Sequence, residues 1–348
     1  MTHLALTDRN WSTPIEQQVK ETFYYNQAWL DLLTNLYGFT VIPLTTTDTV
    51  GQITGFLPLC SMESPLTGRR LVALPFSDHC PLLAKDDVSA HALLDQAVYL
   101  AQDQKVRYLE LRTGNDDVLA RRPDLIEGNL YVRWLIPLAA SPDTLWSSLR
   151  KPVQHQIKKS RKLGVQVRMA QHREDMEHYY RLHLQTRCRK HGMPAQPRQY
   201  FFALWDTFAT EGAIQLLLAE YQEKVIAAMI LFASGTTVRY VYGASDEQYL
   251  HLAPNNLLMW TAITWSCNQG YRTLDLGRTA RDNQGLMEFK RRWGAIQEPL
   301  PYYYYPHIAG LAATPEDSWK YQLLTACWKR LPLPIAGALG GHLYKHLG

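Results

Sequence analysis

The sequence predicts an α+β protein of two domains, each a mostly antiparallel sheet flanked by helices. Three observations carry that prediction. A chain of 348 residues exceeds what one ordinary hydrophobic core organises. An apolar fraction of 46% with ten Trp supports packed interiors rather than disorder. The order strand, helix, strands, helix, strand occurs once before and once after about residue 150, as a succession of elements without residue similarity.

The elements follow in order. Residues 23–37 predict a helix, with Phe23, Ala28, Leu32, Leu33 and Leu36 near helical spacing and Gly38 as its stop. Residues 39–44 and 53–60 read as strands joined by a polar turn over 45–51. A hairpin-like piece over 71–74 leads into the loop Pro75-Phe76-Ser77-Asp78-His79-Cys80-Pro81, pinned by its prolines. Residues 88–105 are an amphipathic helix, and 106–111 and 131–136 are strands.

In the second half, Ser141 reads as a helix cap with Pro142 at the first helical position. Pro152 interrupts, and residues 153–163 predict a strongly basic helix ended by Gly164. A strand over 165–169, helices over 173–189 and 198–209, and strands over 214–221, 225–233 and 237–244 come next. A helix over 255–268, opened by Pro254 and closed by Gly270, precedes a last strand over 272–276. The expected domains are 1–150 and 151–305, followed by a basic, aromatic helical tail over 306–348.

Composition excludes several classes. The five Cys are scattered, odd in number and without a C-x-x-C pair, which fits free thiols in a reducing compartment. Residues 1–19 lack the apolar core of a signal peptide, and no apolar run is long enough to span a bilayer. A cytoplasmic location, or one at the inner face of the cytoplasmic membrane, is expected. The net charge of +4 is unevenly placed, with twelve Lys/Arg and three Asp/Glu between residues 151 and 200. Such density suits an anionic partner, although a bare basic helix surface has the same signature. After Asp317 no Asp or Glu occurs, while Trp319, Trp328, Leu331, Leu333, Ile335 and Leu339 accompany Lys320, Lys329, Arg330 and Lys345. Two readings stay open: a tail docked back on the first domain, and an interfacial membrane segment.

The most informative stretch is Leu274-Asp275-Leu276-Gly277-Arg278 followed by Glu288-Phe289-Lys290-Arg291-Arg292-Trp293-Gly294-Ala295. It reads as a buried strand, a glycine turn, an exposed loop and the start of a basic helix, and strand ends of this kind carry chemistry in many α/β and α+β enzymes. Other candidates fall away. Adjacent residues in an extended segment point to opposite faces, so His79 is not placed to activate Cys80. His172, His178, His183 and His191 lack metal-ligand spacing and Cys188 with His191 is a lone half-site, so no metal is expected.

These motifs, with four more stretches, resemble the FemAB-like acyltransferases, whose members include aminoacyl-tRNA-dependent transferases that build peptidoglycan cross-bridges. Leu149-Arg150-Lys151 through Lys158-Lys159-Ser160-Arg161-Lys162-Leu163-Gly164-Val165 is similar to the family's basic helix ending in G-V. Thr186-Arg187-Cys188-Arg189-Lys190-His191-Gly192-Met193-Pro194 is similar to its helix end R-x-x-G-x-P. Tyr242-Gly243-Ala244-Ser245 and Pro254-Asn255-Asn256 resemble a strand and helix start of its second domain, and Asp275–Arg278 with Phe289–Gly294 its closing D-F-G-x…F-K-x-x-W-G. The resemblance covers roughly residues 20–305, and within the family it is nearest to proteins found beside exosortase and exopolysaccharide systems. It implies two tandem GNAT-like domains with a substrate cleft and no permanently bound cofactor.

The resemblance also implies site residues. Lys290, preceded by Phe289, matches the family's catalytic lysine, a stabiliser of the oxyanion or leaving group. Arg189 matches its substrate-binding arginine; a guanidinium can clamp a phosphate or carboxylate with two parallel hydrogen bonds, or serve only the helix end. Arg278 either holds an anionic group or pairs with Asp275. Tyr242 lines the cleft or packs in the core. Lys158 and Lys159 meet an anionic carrier or form a solvated face. The implied activity is transfer of an aminoacyl or acyl group to an amine of a cell-envelope or exopolysaccharide precursor, lipid-linked or otherwise anionic. The donor is aminoacyl-tRNA, acyl-CoA or acyl carrier protein. The chain lacks both the coiled-coil tRNA arm of some cross-bridge enzymes and a Q/R-x-x-G-x-G/A pyrophosphate loop, so neither tRNA nor coenzyme A is fixed as carrier. The alternatives are an acyl-CoA- or acyl-carrier-protein-dependent GNAT transferase and a membrane-associated scaffold in polysaccharide export.

Overall fold

The computed structural model describes residues 6, 9–65, 68–138, 141–308, 325–326 and 328–346. The chain forms two compact units. The first takes the described residues up to Val132 and those from Pro299 to 308; the second takes Arg133–Glu298 and the described residues from 325 onward.

In the first unit, α1 (Thr13–Glu21) and a short 3₁₀ turn precede α2 (Gln27–Tyr37). The predicted single helix over 23–37 is broken because Asn26 caps α2, accepting the Ala28 N–H at 2.8 Å. Gly38, at φ +70°, ends it. The sheet runs β1 (Thr40–Thr47), β2 (Ile53–Ser64), β3 (Gly68–Val72), β5 (Tyr108–Leu111) and β12 (Ile296–Tyr305), with β4 (Leu83–Ala84) on β2. β3 and β5 pair in parallel, crossing over through α3 (Asp87–Asp103). Asp86 opens α3 by accepting the Ser89 N–H at 2.8 Å, and Leu93, Leu94, Ala97 and Ala101 bury its inner face. After β5 come α4 (Asp117–Ala120) and β6 (Ile126–Pro137). A buried ion pair, Arg112 to Glu110 at 2.7 Å, ties β5 to the loop over 73–81, because Arg112 also donates to the Ser77 carbonyl at 2.9 Å.

In the second unit, Ser141 caps α5 (Pro142–Ser148), followed by α6 (Lys151–Lys162). Pro152 lies in the first turn of α6 rather than interrupting it, since a missing N–H is harmless there. Then come β7 (Gln166–Met169), α7 (Asp175–Leu184), a π-helical turn (Gln185–Lys190) and α8 (Arg198–Phe208). β8 (Ile214–Tyr221) and β9 (Lys224–Ser234) form a hairpin whose two turn residues, Gln222 and Glu223, both have positive φ, as a type I′ turn requires. β10 (Thr237–Ser245), α9 (Pro254–Asn268), β11 (Thr273–Ala280) and α10 (Gln284–Arg292) follow. The sheet order is β11-β10-β9-β8-β7, antiparallel except for β10 with β11.

Three expectations about domains change. The boundary falls inside β6, between Val132 and Arg133, not at 150. β6 is twelve residues long and serves both units, so no loop marks the division. Residues 299–305, expected in the second domain, return to the first as β12; Pro299 and Pro301 hid that strand in the sequence. The described tail also packs on the second unit, not the first. Its helix α11 (Leu333–Tyr344) places Ala336 in a cluster with Cys188, Ala195 and Trp328. Small residues explain the docking: a Cβ on Gly340 would lie 2.9 Å from the backbone N and O of Ala195.

Candidate active site

The stretch singled out in the sequence becomes β11 and α10. Gly277 and Arg278 lie within β11, not in a turn beyond it, and α10 begins at Gln284. Lys290 therefore stands in the last turn of its helix rather than at the start, and it is 3% exposed. Asn283 sets that start by accepting the Leu286 N–H at 3.0 Å.

The Asp275 and Lys290 side chains converge on the backbone of one residue, Gly277. The Asp275 carboxylate is buried, and its Oδ1 accepts the Gly277 N–H at 2.9 Å. Its Oδ2 accepts from Arg133 Nε at 3.1 Å and from Arg239 Nε at 3.3 Å. The Lys290 ammonium donates to the carbonyls of Gly277 at 2.9 Å and Arg278 at 3.1 Å. Gly277 is thus held by a carboxylate on its N–H and a cation on its C=O. Its φ of +73° is why the position is glycine. Two guanidiniums, Arg133 and Arg239, thus meet the Asp275 carboxylate, and the Lys290 ammonium lies on the backbone of the same strand two and three residues on. A buried, pre-positioned cation such as Lys290 stabilises an oxyanion or anionic group more than water does.

The neighbouring backbone is opened there. β10 and β11 pair in parallel over Thr237↔Thr273, Val238↔Leu274 and Arg239↔Asp275. Both run on, to Ser245 and Ala280, without further pairing to each other. On its other side β10 carries a bulge between Tyr240 and Tyr242 against β9. The Tyr242 hydroxyl lies 2.7 Å from that of Tyr200, with Phe201 and Phe232 against its ring.

The other expected residues have described contacts of their own. Phe289 is half-buried and meets Trp293 edge-on at 6.4 Å. Lys158 stands 5.7 Å over the Trp146 ring on α6, with Lys159 beside it in the chain. Arg189, in the π-helical turn, is exposed and donates to the Lys329 carbonyl in the tail. His79 bonds the Thr113 carbonyl at 2.9 Å while Cys80 meets the Ser77 hydroxyl at 2.9 Å, so the two side chains have separate partners.

Sequence reasoning missed Arg133, Arg239 and Tyr200. The signal existed: each arginine sits inside an otherwise apolar or aromatic strand, Tyr-Val-Arg-Trp-Leu-Ile and Val-Arg-Tyr-Val-Tyr, where a charge needs a buried partner. Among the described residues no cluster of His, Cys, Asp and Glu is arranged to hold a metal ion, and Cys60, Cys80, Cys188 and Cys267 are thiols outside any disulfide. Burial pushes the Cys60 thiol up to about 12, away from nucleophile chemistry.

Residues 147–291 match the acetyltransferase (GNAT) domain family. The curated Lipid II:glycine glycyltransferase of Staphylococcus aureus is 28% identical over 88 residues, 23% of this chain and 21% of that protein. The match thus spans about a fifth of the curated relative's length. Among solved structures, FemX aligns with a TM-score of 0.66 at 17% identity, covering 84% of this chain and 96% of that one. L-PGS from Bacillus licheniformis aligns at 0.56 and 12% identity, covering 83% and 90%. The fold is GNAT-like, and the FemAB-like resemblance read from the sequence stands.

Proposed function

We propose that this FemAB-like, GNAT-fold chain is an N-acyltransferase that moves an aminoacyl or acyl group from an activated ester or thioester onto an amine of a cell-envelope precursor. The observation that carries the reading is the buried Lys290 ammonium on the backbone of Gly277, whose N–H is held by Asp275, inside the segment that matches the GNAT domain. The amine nitrogen attacks the donor carbonyl carbon. A C–N bond forms, the donor C–O or C–S bond breaks, and the amine proton leaves with the departing oxygen or sulfur. Negative charge develops first on the carbonyl oxygen and then on the leaving atom, and Lys290 supplies the compensating charge. Arg278 and Arg189 position anionic groups of the substrates. Tyr242 and Phe289 line the site, and Lys158 and Lys159 contact an anionic carrier.

The similarity to a Lipid II:glycine glycyltransferase supports aminoacyl transfer to a lipid-linked precursor, and the FemAB-like resemblance suggests aminoacyl-tRNA as donor; an exopolysaccharide amine is an acceptor of the same chemistry. The acetyltransferase domain match favours a second reading, with acyl-CoA or acyl carrier protein as donor. Transfer assays pairing each donor with muropeptide and amino-sugar acceptors separate the two. Lys290→Met keeps the stem and removes the charge. Turnover is expected to fall about 10²-fold to 10³-fold, as when one oxyanion donor is lost. Because Lys290 is buried on two carbonyls, melting must be measured alongside. Wild-type turnover in a folded Lys290→Met removes Lys290 from the mechanism. Absence of transfer from all three donors ends the acyltransferase reading.

A further inference from the structure

We infer that α11 lies with its outer face on an anionic membrane surface. The helix is arranged inversely to a surface helix of a soluble protein, which buries its large aliphatic side chains. Ala336 and Gly340 are buried, and Gly337 and Gly341 pack near Tyr180, Leu184 and Pro197. Leu333, in the first turn, packs against the Ala336 cluster, and the large aliphatic side chains after it turn outward: Ile335 is 49% exposed, Leu339 47% and Leu343 36%. Spaced four residues apart, they share one stripe along the helix. The other large exposed apolar residues of the described chain are scattered over other elements.

Charge decides the occupant. Lys329 and Arg330 precede the helix and Lys345 follows it, all exposed, and His342 is exposed within it. No Asp or Glu occurs among residues 325–346. A second copy meeting this face through a two-fold axis would set cations against cations. An anionic lipid surface instead matches both features, an apolar stripe and flanking positive charge. The helix, about 18 Å long, lies in the interface plane, and no described helix is long and apolar enough to cross a membrane. The small inner face and the Arg189 contact to the Lys329 carbonyl hold it on the second unit. The inference rests on this helix alone, so a negative vesicle result leaves the acyl-transfer reading standing.

The test is flotation of the full chain with vesicles of phosphatidylcholine mixed with phosphatidylglycerol, and with phosphatidylcholine alone. Binding to the anionic vesicles is expected, weakened about 10²-fold on the neutral ones and in the variant Lys329→Gln/Arg330→Gln/Lys345→Gln, since each cation contributes roughly fivefold. Ile335→Ser/Leu339→Ser/Leu343→Ser should abolish binding with an unchanged melting temperature, because these side chains make no core. Failure of the wild type to float, or equal flotation of the serine variant, overturns the inference. A concentration-dependent dimer in sedimentation, lost in the serine variant, overturns it in favour of a second copy.

Discussion

Asp275→Asn tests whether the candidate site is an electrostatic unit. Asparagine keeps the Oδ1 acceptor for the Gly277 N–H and removes only the charge that faces Arg133 and Arg239. The carboxylate side chain is 4% exposed, and the arginines are 18% and 14% exposed. Removing one partner of a buried pair costs about 3–5 kcal/mol, because the remaining charge is left uncompensated. The residual hydration of both guanidiniums favours the lower end, about 3 kcal/mol. For a unit of this size that lowers the melting temperature by about 6–12 °C. The control is Asp206→Asn. Asp206 makes a shorter, two-pronged contact with Arg173, at 2.6 and 2.9 Å, but both partners are about half exposed. Water already screens that pair, so the expected loss is about 0–1 kcal/mol. Differential scanning calorimetry of the two variants decides. If Asp275→Asn melts within about 2 °C of the wild type, or if Asp206→Asn loses more, burial is not what gives the Asp275 group its strength.

Two further predictions concern the interior and the tail. His183 is buried, and burial, helped by Arg187, lowers its pKa from 6.5 to about 3. The unfolded chain therefore takes up a proton near pH 6.5 that the folded chain refuses until about pH 3. Stability should be full above pH 6.5 and fall by about 2 kcal/mol on reaching pH 5. Denaturant titrations of wild type and His183→Phe should show a steeper acid loss in the wild type; parallel curves would refute the assignment. Gly340→Val places methyl groups against the Ala195 backbone, which cannot swing aside as a side chain would. Limited proteolysis should then cut the tail faster while the rest of the second unit resists, and an unchanged rate would show that α11 is not seated on Ala195.

Much of the fold was legible because local chemistry and tertiary structure agree. Ser141, Gly38 and the turn after Tyr221 do locally what the structure uses them for. The departures share a cause: a partner distant in sequence overrides the local signal. Pro299 and Pro301 argue against a strand, yet β12 pairs with β5 at Tyr303↔Leu111 through residues beyond the prolines. Lys290 reads as one of three surface cations, yet helical phase alone separates its buried position from exposed Arg291 and Arg292.

The site divides the same way. Sequence by itself determined that Asp275, Gly277 and Lys290 belong to one motif, since their order and spacing are a linear pattern. It also determined the apolar, acid-free character of the tail. Only the tertiary structure decided that Arg133 and Arg239 close on Asp275, from strands 142 and 36 residues away. It likewise decided that α11 turns its glycines inward and Ile335, Leu339 and Leu343 outward. The physical reason is that a buried charge or a close backbone approach is satisfied by whatever the fold brings near. That proximity is set by strand register and helix phase summed over the whole unit, which no local window of residues contains.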